Sequence, residues 1–324
     1  MAQPTLSRMR RSTLALKKEA AYGTDVFSGT VSAADLVPAY NISYAVANEM
    51  NEGLSQSGMM GSITSDVLGG RSVEISYSMR LRGKGSAYAA ATDVECNESL
   101  LASGCKATVV TSGGSEKVTY NPRDNAFESV TCYILRENAP AIKASGCFGN
   151  ASISMVAGQP WELNVRLVGK MEDPADITLV TQDFSKTPQF PAAKSAGITI
   201  DSVSTHRVQS ANLDFGNIVE VVASQNATHS VVGSALMGRN PRLTLDPEAV
   251  TVATHSLDAR LRDGTLFAWD INSSGAQYTR VKLSGTKAQL VGLSSGTRGE
   301  IATENLELKL LINAGEDDFA LVFD

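Results

Sequence analysis

Trp161-Glu162-Leu163-Asn164-Val165-Arg166-Leu167 alternates apolar and polar residues, and Glu304-Asn305-Leu306-Glu307-Leu308-Lys309-Leu310 does the same near the other end of the chain. A period of two sends successive side chains to opposite faces, so each heptapeptide predicts a half-buried strand. Both are followed by an acidic turn, Glu172-Asp173 or Glu316-Asp317-Asp318. Both turns lead into a further apolar run, Ile177-Thr178-Leu179-Val180 or Phe319-Ala320-Leu321-Val322-Phe323.

The echo continues upstream. Gly69-Gly70-Arg71 precedes a predicted strand carrying Val73, Ile75, Tyr77 and Met79, and Met237-Gly238-Arg239 precedes one carrying Leu243 and Leu245. A helix is expected after each. The first would start at the capping box Thr92-Asp93-Val94-Glu95 and stop at Gly104. The second would use Asp246 as cap and Pro247 at the first helical position. Val250, Ala253, Leu257 and Leu261 would then line one face before Gly264. Each half reads as strands, one helix, then strands, with extra residues at about 106–140 in the first half. A duplicated chain follows. Residues 1–35 would form an N-terminal arm, 36–182 a first domain, 183–198 a linker and 199–324 a second domain, with Pro174, Pro188 and Pro191 marking the connection. Residues 48–70 separate the strand Ile42, Tyr44, Val46 from the one starting at Val73. They are polar and rich in Gly and Met, a long loop whose Leu54, Met59 and Met60 suit a surface covered by a neighbour.

Composition narrows function. The chain has 324 residues, 43% hydrophobic and 19% charged, as a globular protein with a real core requires. Net charge is −6, yet residues 1–20 carry Arg8, Arg10, Arg11, Lys17 and Lys18 against Glu19, a local +4 that leaves −10 for the rest. A sequence-specific DNA binder would gather cations on a folded face instead. Cys96, Cys105, Cys132 and Cys147 form no C-x-x-C pair and have no nearby His, so buried free thiols are expected. His206, His229 and His255 fit no metal-ligand spacing and are expected at surface or cap positions. Gly83-x-Gly85 lacks the third glycine of a dinucleotide site, and Ser284-Gly285-Thr286-Lys287 matches S-x-x-K as four residues often do by chance. No catalytic residue, metal site or cofactor is expected, and no apolar run is long enough to span a membrane.

The opening Lys17-Lys18-Glu19-Ala20-Ala21-Tyr22-Gly23-Thr24-Asp25 is similar to the K-x-E-x-x-Y-G-T segment of tail-tube (major tail) proteins of long, non-contractile-tailed bacteriophages. Leu81-Arg82-Gly83-Lys84-Gly85 before a short helix also resembles that family, as does the order of elements along most of the chain. The resemblance implies a mainly β fold with two tandem tube-type β-sandwich or barrel domains, each flanked by one helix. It implies a structural virion protein, made in the host bacterial cytoplasm, that polymerises into stacked rings as a conduit for DNA ejection. Its partners would be itself, in rings of three chains with pseudo-sixfold symmetry or of six chains, and other tail proteins such as tape measure and terminator. DNA would pass without specific binding, and no membrane is involved. Arg8, Arg10, Arg11, Lys17, Lys18, Leu54, Met59 and Met60 are then the candidates for contacts between rings. Glu74, Glu162 and Glu307 are candidates for the channel lining, or equally for a solvated outer face. Another ring-forming virion part, such as a tail terminator, and a monomeric β-sandwich binding module remain open as alternatives.

Overall fold

A computed structural model describes residues 11–53, 65–181, 190–194 and 197–324. The first half runs β1 (Ser12–Lys18), β2 (Leu36–Val37), β3 (Ala39–Asn51), β4 (Val67–Arg80), α1 (Asn97–Ala102), β5 (Cys105–Val110), β6 (Lys117–Pro122), β7 (Val130–Arg136), β8 (Ala139–Val156) and β9 (Glu162–Met171). The second runs β10 (Ile198–Ile200), β11 (Val208–Asp214), β12 (Asn217–Ala223), β13 (Val231–Arg239), β14 (Arg242–Pro247), α2 (Leu257–Asp263), β15 (Leu266–Asn272), β16 (Val281–Arg298), β17 (Ile301–Leu310) and β18 (Ala320–Phe323). With 55% strand and 7% helix, the fold is mainly β.

The two heptapeptides lie in β9 and β17, with Leu163, Val165, Leu167, Leu306, Leu308 and Leu310 all buried. Each such side chain contributes about 1.5–3 kcal/mol relative to exposure. Around these strands the halves repeat one topology. The first is ordered β1-β7-β8-β9-β4-β3 and the second β10-β15-β16-β17-β14-β11, all neighbours antiparallel. The helix falls at the same place in both, after β4 and after β14. The matching strands β8 and β16 are each 18 residues long, and β9 and β17 each 10. The extra residues of the first half form the β5–β6 hairpin, and the second half carries its own β12–β13 hairpin between β11 and β14.

The halves are stitched twice. Ser152–Val156 of β8 pair with Ser210–Asp214 of β11, and β18 pairs with β6. One apolar cluster runs through both halves and holds Trp161 and Trp269. A smaller cluster of Ala15, Phe27, Val31, Leu36, Tyr133, Leu135 and Ala141 covers the back of β1 and β7, and Ile177, Leu179 and Val180 pack on it.

Several local expectations are corrected. The second helix starts at Leu257, with Ser256 as cap, and does not start at Asp246. Asp246 instead accepts hydrogen bonds from the amides of Gln209 (2.9 Å) and Ser210 (2.6 Å), closing the irregularity of β11 between Val208 and Ala211. Pro247, lacking an N–H, ends β14. The first helix is shorter than its capping box suggests. Asp93 accepts from the amides of Ala89 (2.7 Å) and Ala90 (3.1 Å), making a 3-10 turn, and α1 begins only after Cys96. Gly104 and Gly264 do stop the helices, at φ of 75° and 62°. Residues 48–70 are not loop throughout: β3 continues to Asn51 and β4 begins at Val67. Residues 177–180 form no strand, unlike β18. In their half the corresponding pairing shrinks to one bridge, Ala141 with Ala175, just after Pro174.

Candidate assembly and channel surfaces

The segment after β1 is built around a buried carboxylate. Glu19 accepts hydrogen bonds from the Ser129 hydroxyl (2.6 Å), the Thr131 hydroxyl (2.9 Å), the Gly146 amide (2.7 Å) and the Gly23 amide (2.8 Å). Tyr22 donates its hydroxyl to the Ser234 carbonyl at 2.7 Å, reaching β13 of the second half. Gly23 sits at φ of 72°, and a Cβ there would lie 2.9 Å from the Val232 carbonyl oxygen, so glycine is required twice over. Asp25 accepts from the Phe27 amide (3.0 Å) and pairs with the Tyr133 hydroxyl. The Glu-x-x-Tyr-Gly-Thr-Asp string therefore locks the chain start to β7, β8 and β13.

Of the proposed contact cations, Arg8 and Arg10 lie outside the described residues, as do Leu54, Met59 and Met60. Arg11 pairs with Glu137, Lys17 with Asp35 (3.3 Å) and Lys18 with Glu128 (3.0 Å). Lys17 and Lys18 belong to β1, which pairs with β7 over its whole length. Apolar surface is nevertheless open nearby. Met50, Val67 and Leu68 on the stem of the β3–β4 hairpin are 46–65% exposed. A groove lined by Phe127, Leu236, Met237, Leu266 and Ile312 lies beside the β12–β13 hairpin.

Opposite the core, the sheet presents a continuous polar face. It crosses β4, β9, β8, β11, β14 and β17 and spans the joint between the halves. Several of its charged and polar side chains pair across strands. Glu74 accepts two hydrogen bonds from Arg166 (2.6 and 2.7 Å), which hold its carboxyl below the usual carboxylate range. Ser78 donates to Asn164 (2.6 Å), Asn150 to Asp214 (2.8 Å), and Arg242 pairs with Glu307. Glu162, on the same face of β9, joins Glu74 and Glu307 there. The Ser and Asn residues of this face went unread in the sequence, although Asn150, Ser152 and Ser154 alternate with buried Ala151, Ile153 and Met155.

Two of the three histidines are buried, against expectation. His206 Nε2 lies 2.9 Å from His255 Nδ1, and His255 Nε2 lies 3.1 Å from Asp201 Oδ2, which also pairs with Arg260 at 2.6 Å. Burial and the neighbouring His255 push the His206 pKa down. His229 is half-buried beside Asp173. All four cysteines are free and buried, as expected, and burial pushes the Cys105 thiol up to about 12. Among the described residues, no group of three or more His, Cys, Asp or Glu side chains could hold a metal ion, and no helix is long and apolar enough to cross a membrane.

A comparison with curated proteins finds no match to the chain. A family model described as phage tail tube protein matches residues 9–304, which includes the Glu19 anchor, the first half and the second half as far as the start of β17. The protein with this duplicated antiparallel topology belongs to the phage tail tube protein family.

Proposed function

We propose that the chain is the repeating subunit of a phage tail tube, assembling into stacked rings of three copies through which DNA leaves the virion. The observation that carries this reading is the repeated strand order, six strands and one helix occurring twice in one chain. Each half serves as one tube unit, 36–182 with β1 of the chain start added to its sheet and 199–324, so three chains present six similar units around an axis. Head-to-tail contacts of this kind give a ring when the rotation closes.

The polar face lines the channel in this reading. Two of its acids are neutralised, Glu74 by Arg166 and Glu307 by Arg242, Asp214 accepts a hydrogen bond from Asn150, and Glu162 with several Ser and Asn residues completes the wall. Such a wall offers phosphates few free cations and lets a duplex slide. Ring stacking is assigned to the β3–β4 hairpin within residues 48–70 and to the chain start, with Arg8, Arg10, Arg11, Lys17, Lys18, Leu54, Met59 and Met60 as contacts. Capping the tube falls to a terminator, and setting its length to a tape-measure protein. Assembly takes place in the host cytoplasm.

Negative-stain microscopy of the purified protein tests this. Hollow filaments with a regular axial repeat are expected. Single rings would favour the terminator reading, and dispersed monomers at high concentration would refute assembly.

A further inference from the structure

The joint inside the chain offers a template for a contact between copies. Residues 152–156 of β8 are covered on their open side by β11. The matching end of β16, residues 290–298, pairs with β17 alone among the described residues. Likewise β11 has partners on both sides, β8 and β14, whereas among the described residues its counterpart β3 pairs with β4 alone. One chain thus carries one edge of each kind, both left open, and the same two kinds of edge are joined in its middle. We infer that β3 of one copy pairs antiparallel with the 292–296 edge of β16 in a second copy, with Ala39 opposite Ser295. This rests on the tube reading above and adds to it the strands and the register of the contact.

The register follows from the matched ladders. Leu163 and Leu306 hold the same third place in the two alternating heptapeptides, 161–167 and 304–310. Their partners are Ile153 in β8 and Leu293 in β16, which makes Met155 equivalent to Ser295. On the other side, Leu163 faces Met79 and Met79 faces Ala39, while Leu306 faces Leu245 and Leu245 faces Ala211. Ala39 is therefore the counterpart of Ala211. Within the chain, Ala211 lies opposite Met155, so between chains Ala39 lies opposite Ser295 and Tyr40 opposite Ser294. An irregularity in β3 between Tyr40 and Ser43 limits the transferred register to these pairs.

Burial agrees. Ile153, Met155, Ala211 and Leu213, at the closed joint, are at most 5% exposed. At the open edges Ala39, Ile42 and Leu293 are only half-buried and Ser295 is exposed, although Ala39, Ile42 and Leu293 already touch the core cluster. Edge strands that stay unpaired are usually guarded by charge or proline. Ser294-Ser295-Gly296-Thr297 and Ala39-Tyr40-Asn41-Ile42-Ser43-Tyr44 carry neither, Arg298 and Pro38 falling at their outer ends.

Facing residues of an antiparallel pair have Cα atoms about 4.5–5.5 Å apart, within the span a disulfide bridges, whereas a two-residue offset puts them about 8 Å apart, beyond it. Assembled protein carrying Ala39→Cys and Ser295→Cys should, on mild oxidation, convert from monomer to covalently linked dimers and trimers on a non-reducing gel. Either single variant, and the offset pair Ala39→Cys with Thr297→Cys, should stay monomeric. The four native thiols are buried and contribute nothing. Amide exchange on the unmodified chain supplies a second test that does not depend on the variants folding: residues 39–43 and 292–297 should slow on going from free subunit to filament. Filaments seen by microscopy without the cross-link, or with unchanged exchange at both edges, overturn this contact and leave the tube reading standing. Absence of any filament or ring from the unmodified chain overturns both.

Discussion

Replacing Glu19 by Ala should be among the most damaging single changes in the molecule. The carboxylate is buried and takes hydrogen bonds from Gly23 and Gly146 amides at 2.8 and 2.7 Å and from Ser129 and Thr131 hydroxyls at 2.6 and 2.9 Å. The hydroxyls can rotate toward other acceptors. The amides cannot: the buried Gly146 donor left without a partner costs about 1–3 kcal/mol, and the part-buried Gly23 donor adds less. Cavity formation adds to this, and relief from burying a charge subtracts, so a net loss of about 3–5 kcal/mol is expected. Urea unfolding of the dilute subunit, followed through buried Trp161 and Trp269, reads the change as a lower midpoint at constant slope. Exposed Glu49→Ala is the control and should shift stability by no more than about 0.5 kcal/mol. A loss below about 1 kcal/mol for Glu19→Ala would show that the carboxylate does not organise the chain start.

Three further outcomes follow from other parts of the molecule. Arg239 pairs with Asp318 at 2.6 Å and Asp124 at 2.7 Å and donates to the Arg123 carbonyl at 2.8 Å. Arg239→Met leaves Asp318 buried and unpaired, so a loss of about 3–5 kcal/mol is expected in the same urea assay, and an unchanged midpoint would refute it. The pKa of His206 is lowered on folding, so the unfolded chain binds its proton first as pH falls. Its contribution is present above the unfolded value near ~6.5 and is lost below it, at no more than about 1.4 kcal/mol per pH unit. His206→Gln should therefore flatten the stability profile between about pH 6.5 and 5.5. An equally steep profile in the variant would assign that pH dependence to other groups. Finally, Glu74→Lys with Glu307→Lys should make assembled tubes retain duplex DNA in low salt, and unchanged retention would place the polar face away from the channel.

Much of the fold was legible where one face of a strand meets water. β9 and β17 show clean alternation because their alternate side chains point to the core and to the polar face. β7 did not, since Val130 to Leu135 are all buried between two clusters, so the run is mostly apolar with only Thr131 polar and shows no period of two. β1 was hidden for a different reason: its lysines suggested a free arm, yet Leu14 and Leu16 fill the core while Lys17 and Lys18 find acids on neighbouring segments. Asp246-Pro247 fits the end of a strand as well as the start of a helix, and only the amides of Gln209 and Ser210, brought close by pairing, decide between them. The open edges were illegible for a more general reason. An edge is defined by which strands lack neighbours, and that is a property of the whole sheet order.

The central claim is that one kind of sheet joint, seen once inside the chain, recurs between chains until a ring closes. A cryo-EM reconstruction of the assembled protein tests it directly. Three chains per ring are expected, with six alike joints, β8–β11 within copies alternating with β16–β3 between them, and with Glu74 and Glu307 facing the bore. A ring whose copies meet through other strands, or whose polar face points outward, would contradict it.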